Sequence, residues 1–327
     1  MQRDSGIDFI KFIAAILITN SHMGHLYPQG LSLLATGGAI GDALFFFCSG
    51  FTLFLKPMGR FDNWYKKRIN RIYPTVIAWA LLRIMITFGD IRIFDTIING
   101  GGWFVSCIMM YYIVAYFIER FFSKHLNLVF CITAVIVVVV YALWERPDTY
   151  SMYGETYFKW ISFFIIMLLG AIVGKRTLLN KEKGINTPAN VYYLLSGLIV
   201  SVIVYYGILI LSTKYAIFNL LQIITLIPLI SIIISMYGLS KSQYANALLL
   251  NKYIKWIVMF IGNLCLEIYL TQTFLLRMDL RIPFPINYIS MFIMIFLAAY
   301  VLRCLARLFS QTFSKEDYDW KEIVKAV

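Results

Sequence analysis

The sequence predicts an all-α polytopic membrane protein with about ten transmembrane helices, both termini cytoplasmic, and three observations predict it. Of 327 residues, 60% are hydrophobic and only 14% charged, and the mean hydropathy is +0.75. Soluble domains run at about 45–50% apolar and about 25% charged. Ten apolar runs approach the roughly 20 residues that a helix needs to cross a bilayer. The Lys and Arg residues divide unevenly between alternate connections, as positive-inside topology requires. This composition excludes a soluble globular enzyme, a disordered chain and a disulfide-stapled secreted module.

The runs fall at residues 7–27, 38–56, 73–89, 103–122, 126–144, 157–174, 191–212, 216–238, 253–276 and 286–309, the third and sixth being short. The first carries Lys11 and ends in Ser21-His22-Met23-Gly24-His25 instead of a small-residue cleavage site, so no cleavable signal peptide is expected. A Gly37-Gly38 pair precedes the second, and the basic loop Lys66-Lys67-Arg68-Ile69-Asn70-Arg71-Ile72-Tyr73-Pro74 leads into the third. Gly100-Gly101-Gly102, read as a flexible segment, precedes Trp103 at the head of the fourth. The fifth and sixth are separated by the longest outer loop, about residues 145–156, acidic and aromatic from Glu145 onward. The eighth holds an isolated Pro228, and the ninth holds Glu267. Residues 1–312 thus form one membrane domain, and 313–327 a short cytoplasmic tail.

With the N-terminal side taken as one face, that face holds 21 Lys and Arg, from Arg3 through the 66–71 cluster, Lys175 and Arg176 to Arg303, Arg307 and Lys315. The opposite face holds six: Arg92, Arg146, Lys159, Lys214, Arg277 and Arg281. The bias makes the first face cytoplasmic. Most of the +12 net charge is therefore a topology signal, and no nucleic-acid partner is needed to explain it. The five cysteines all lie in apolar runs without metal-type spacing, so they read as small apolar residues.

Ionisable groups inside a span cost several kcal/mol and are candidate sites by default. Lys11 and His22 are 11 residues apart, three helical turns plus about 20°, which sets them on one face about 16 Å apart. His22 then lies in the outer third of the first span, where an imidazole can take and return a proton near neutral pH. The plainer reading is that His22 hydrogen-bonds a neighbouring helix and Lys11 snorkels to the headgroups. His25 reads as solvated, and no convincing third ligand supports a His22/His25 metal site. Arg68 and Arg71 are i, i+3 neighbours able to hold phosphates bidentately, or else an ordinary lipid anchor. Asp42 is placed either to orient His22 or to be solvated at the outer interface. Arg83 snorkels outward in this reading, and Glu267 needs a partner that the sequence does not identify.

Taken in order, these residues resemble the membrane-bound acyltransferase family 3, polytopic enzymes that O-acylate bacterial surface glycans. Lys11 and His22 match the family's Arg or Lys, ten residues, then His, with Asp8 in the usual acidic position. Gly41-Asp42-Ala43-Leu44-Phe45-Phe46-Phe47-Cys48-Ser49-Gly50-Phe51 is similar to its second-helix motif, with the Asp shifted next to the Gly. Arg68, Arg71 and Pro74 match its Arg-x-x-Arg before a Pro, and Trp103-Phe104-Val105 approximates its Trp-Phe-Leu. The stretch from Gly262 to Gln272 approximates a late Gly-x-x-Ser-Tyr-x-x-Tyr-Leu-x-His. There Cys265-Leu266 replace Ser-Tyr, and Gln272 replaces His; a glutamine can hydrogen-bond a hydroxyl but carries no proton at neutral pH. The Glu that many members carry after the Trp is absent, as in stand-alone members rather than those fused to a periplasmic esterase-like domain.

The resemblance implies acetyl-CoA, or another acyl-CoA, as donor, a glycan or lipid-linked sugar hydroxyl as acceptor, no metal, and a multi-pass place in the bacterial inner membrane. A donor's phosphates would meet Arg68 and Arg71 at the inner face, with Lys11 at the cavity mouth and the pantetheine arm reaching towards His22. His22 acts in this reading as general base, directly or through an acyl-His intermediate. Trp103, Asp42 and Gln272 are the expected substrate contacts. The rivals are a transporter or flippase of lipid-linked sugars, and a glycan polymerase or ligase. The first lacks the paired Pro/Gly-broken segments of inverted repeats; the second would show a larger outer loop rich in Arg or His.

Overall fold

The computed structural model describes residues 4–87, 93–98, 100–143, 150–154, 156–184, 190–278, 280–314 and 316–327. The charges Arg3, Arg92, Arg146 and Lys315, and positions 145–149 of the outer loop, lie outside the described residues. Among the described residues the regular structure is helical throughout. Its helices are α1 (Ser5–Ser21), α2 (Gly38–Leu53), α3 (Phe61–Thr87), α4 (Ile93–Ile98), α5 (Trp103–Phe122), α6 (Leu126–Leu143), α7 (Phe158–Glu182), α8 (Val191–Lys214), α9 (Leu226–Ser240), α10 (Gln243–Leu250), α11 (Lys252–Asn263), α12 (Cys265–Leu275), α13 (Ile286–Thr312) and α14 (Trp320–Ile323).

Seven helical segments are long and apolar enough to cross a membrane, or eight if the bent pair α11–α12 is one span, against the ten expected. Two differences account for this. α1 has 17 residues because it stops at Ser21 instead of running to residue 27, short of the roughly 20 a bilayer asks for. Gly24 and Pro28 are poor helix residues, and the Ser21 hydroxyl bonds back to the Ile18 carbonyl at 2.7 Å. Second, α5 and α6 run on as one 41-residue stretch, Trp103–Leu143, interrupted only by the 3-10 turn Ser123–His125. The two runs read as short are long: α3 has 27 residues and α7 has 25. Hydropathy sees only the apolar half of α3. The basic segment expected as a loop is its first half, with Pro74 inside the helix.

The chain divides into two compact units. The first comprises Met1–Ile10, Ala39–Pro57 and Phe117–Lys255. Its core is a backbone-to-backbone contact of α2 with α7. Gly170 and Gly174 lie one turn apart on α7, and a Cβ at Gly174 would stand 2.6 Å from the Phe51 carbonyl oxygen, the close approach that a small-xxx-small pattern permits. Phe46 stacks on Phe163 at 5.4 Å, and Tyr237 of α9 packs on Phe47 and Phe51. α8 leaves Ile199, Val200 and Ile203 exposed, as a helix does whose solvent is hydrocarbon. The second unit comprises Lys11–Gly38, Met58–Tyr116 and Trp256–Val327, and holds every sequence-predicted site residue except Asp42.

Candidate active site

The second unit is assembled on α12. α11 ends at Asn263 and α12 begins at Cys265, with the axis turned by 71° across Leu264. Gly262-Asn263 are weak helix formers, and the break exposes carbonyls that need donors. Arg303 of α13 supplies one, its Nη2 donating to the Asn263 carbonyl. Its Nε and Nη2 also donate to the two Glu267 oxygens, both at 3.1 Å. Glu267, which the sequence left without a partner, is thus held by a fork that the topology count had assigned to the cytoplasmic face. Arg pairs carboxylates in this way because its donors are planar and fixed.

Three further elements meet α12. From α1, the Lys11 carbonyl lies 3.9 Å from Cys265 Sγ, and the Thr19 hydroxyl donates to Gln272 Oε1 at 3.1 Å. From α3, Trp79 meets Phe274 edge-on at 6.3 Å. From α5, the Phe104 amide donates to the Tyr269 hydroxyl at 3.3 Å, with the rings 5.6 Å apart. The triglycine before α5 is packed here, not loose. All three residues have positive φ; a Cβ on Gly102 would overlap the Tyr269 hydroxyl, and one on Gly101 would overlap Leu270. Glycine alone fits that backbone at that distance. The turn is closed by the Gly101 amide on the Thr96 carbonyl at 2.8 Å.

Gln272 is fully buried, and its Nε2 has no hydrogen-bond partner among the described residues. A buried amide donor left unpaired costs about 1–3 kcal/mol. His22 is not inside a span as expected. It stands one residue beyond α1, exposed, its amide bonded to the Thr19 carbonyl at 3.2 Å. Thr19 therefore ties both sequence-predicted residues together, through its carbonyl to His22 and its hydroxyl to Gln272. Lys11 is half-buried lower on α1. Trp103 heads α5 and meets Phe104 edge-on at 5.9 Å.

Arg68 and Arg71 share one face of α3, in different settings. The Arg68 guanidinium lies 5.1 Å from the Trp64 ring centroid and 5.7 Å from that of Tyr112, its Nε buried and unpartnered; Arg71 is exposed. Asp42 is in the first unit, where Lys159 is its electrostatic neighbour.

Residues 4–304, nearly the whole chain, match the sequence model of the acyltransferase domain family. The chain belongs to acyltransferase family 3. No curated protein and no solved structure gives a match to it. The matched span contains every site residue of this acyltransferase named above, and membership decides among the three function classes in favour of acyl transfer. Sequence reasoning missed Thr19, Asn20, Tyr269 and Arg303 as parts of the site. Thr19 carried one signal, its place three residues before His22 on the same helix face. The Arg303 pairing with Glu267 spans 36 residues and two helices, which no local pattern reports.

Proposed function

We propose that this membrane acyltransferase moves a short acyl group, acetyl in the simplest case, from acyl-CoA to a hydroxyl of a cell-surface or lipid-linked glycan. Its place in this reading is the bacterial inner membrane. The observation that carries the proposal is Thr19. Its carbonyl accepts from the backbone amide of His22, whose side chain is exposed just past α1, and its hydroxyl donates to Gln272, whose N–H is unused, so one residue links the segment carrying a base to a hydrogen-bond donor. The acceptor hydroxyl gives its proton to His22 as its oxygen attacks the thioester carbonyl. A C–O bond forms, the C–S bond breaks, and the imidazolium returns the proton to the leaving thiolate. The same residues serve a two-step route in which the imidazole nitrogen carries the acyl group before the hydroxyl takes it.

Gln272 donates to a substrate oxygen, and Trp103 offers an aromatic face to a sugar. Lys11 and the Arg68/Arg71 face of α3 hold donor phosphates; Trp64 and Tyr112 fix the Arg68 plane in advance, which limits the entropy lost on binding. The test is transfer from radiolabelled acetyl-CoA in membranes carrying His22→Ala. Transfer should fall by about 100-fold or more with the amount of inserted protein unchanged. Wild-type transfer in that variant would remove His22 from the chemistry.

A further inference from the structure

His22 leaves α1 on a backbone held by a side chain that the proposed chemistry does not use. Asn20 Oδ1 accepts from the hydroxyls of Tyr27, at 2.7 Å, and Tyr288, at 2.8 Å. Its Nδ2 donates to the carbonyls of Leu34, at 2.8 Å, and Thr36, at 3.1 Å. A carboxamide has two acceptor lone pairs and two N–H donors, so this one is used to capacity. The partners come from three separate pieces of chain: the turn just after His22, the segment returning towards α2, and the first turn of α13.

The backbone around His22 is fixed as well. The Met23 amide bonds to the Asn20 carbonyl at 3.0 Å, and the Met23 side chain is fully buried. Asn287 of α13 donates to the Leu26 carbonyl at 3.0 Å. Tyr27 and Tyr288 pack ring to ring at 5.2 Å, so their hydroxyls reach Asn20 from a rigid pair. An exposed imidazole thus sits on a clamped chain, bracketed by Asn20 two residues before it and by buried Met23 just after.

We infer that Asn20 is a positioning residue for His22: its carboxamide sets where the imidazole stands relative to Gln272, and it contacts neither donor nor acceptor. The inference rests on the reading of His22 as the base. Misplacing a reacting group by about 1 Å is enough to lower a rate by about 100-fold, so loss of the clamp acts on turnover and not on donor affinity.

The test compares wild type, Asn20→Ala, Tyr288→Phe and His22→Ala in membranes, with folded protein quantified and kcat and KM for acetyl-CoA measured per folded molecule. Asn20→Ala should lower kcat by about 10- to 100-fold with KM for acetyl-CoA within about 2-fold. Tyr288→Phe removes one of the four bonds and keeps the ring, so it should lower kcat by less and still fold if Asn20→Ala does not. A purely structural role would reduce the amount of folded protein and leave its kcat unchanged; that result, in whichever of the two variants folds, overturns the inference. If His22→Ala is inactive while Asn20→Ala and Tyr288→Phe turn over like wild type, the positioning role fails and the base stands. If His22→Ala retains activity, the base reading fails and the inference with it.

Discussion

Removing Arg303 should do more damage than removing the whole ion pair of which it is part. In Arg303→Ala the Glu267 side chain, 7% exposed, is left among apolar helices with no fork to meet it. The Asn263 carbonyl at the α11–α12 break loses its donor too. Breaking one side of a buried pair costs about 3–5 kcal/mol, whereas replacing both partners by apolar residues is often neutral. At about 2–4 °C per kcal/mol, the single variant should unfold on the order of 10 °C lower. Cys48 and Cys107 are buried thiols outside any disulfide, so a thiol-reactive fluorophore added to the detergent-solubilised chain reads the transition. Glu267→Leu with Arg303→Met should recover most of the loss. A double variant no better than Arg303→Ala would refute the reasoning, as would a single variant within about 1 °C of wild type.

The other predictions concern packing and binding. Gly174→Ala would push a methyl against the Phe51 carbonyl and should cost about 1–3 kcal/mol as overpacking, seen in the same thermal assay. Arg68→Lys should raise KM for acetyl-CoA almost as much as Arg68→Ala, because an ammonium cannot replace a guanidinium held between Trp64 and Tyr112. Steady-state kinetics at varied acetyl-CoA check this. Gln272→Leu removes the unpaired donor and should lower kcat/KM for the acceptor by roughly 10- to 100-fold, about 1.4–2.8 kcal/mol of transition-state binding. Acceptor-dependent initial rates measure it.

Much of the architecture was legible because an apolar run long enough to cross a bilayer is a property of composition alone. Helix ends were less so. Hydropathy located residues 73–89 but not the polar first half of α3, since Lys66, Lys67, Arg68 and Arg71 are good helix formers that no apolar count detects. The end of α1 depended on Ser21, Gly24 and Pro28, local chemistry that a hydropathy window averages away. The pairing of residues 11 and 22 assumed one continuous helix through both, whereas α1 stops at Ser21 and His22 stands exposed one residue past its end. Asn20 and Arg303 were invisible as site elements because their meaning lies in partners on other helices. Gln272 stood out only through the resemblance, and the structure adds its burial and unused N–H.

The central claim is that this acyltransferase modifies a glycan through His22. The most direct measurement is mass spectrometry of surface and lipid-linked glycans from cells expressing the wild-type chain, cells expressing His22→Ala, and cells lacking the gene. The account predicts glycans heavier by one acetyl or another short acyl group in the wild type alone, with the His22→Ala glycans matching those of the deletion. Identical glycans in all three, or full acylation by His22→Ala, would contradict it.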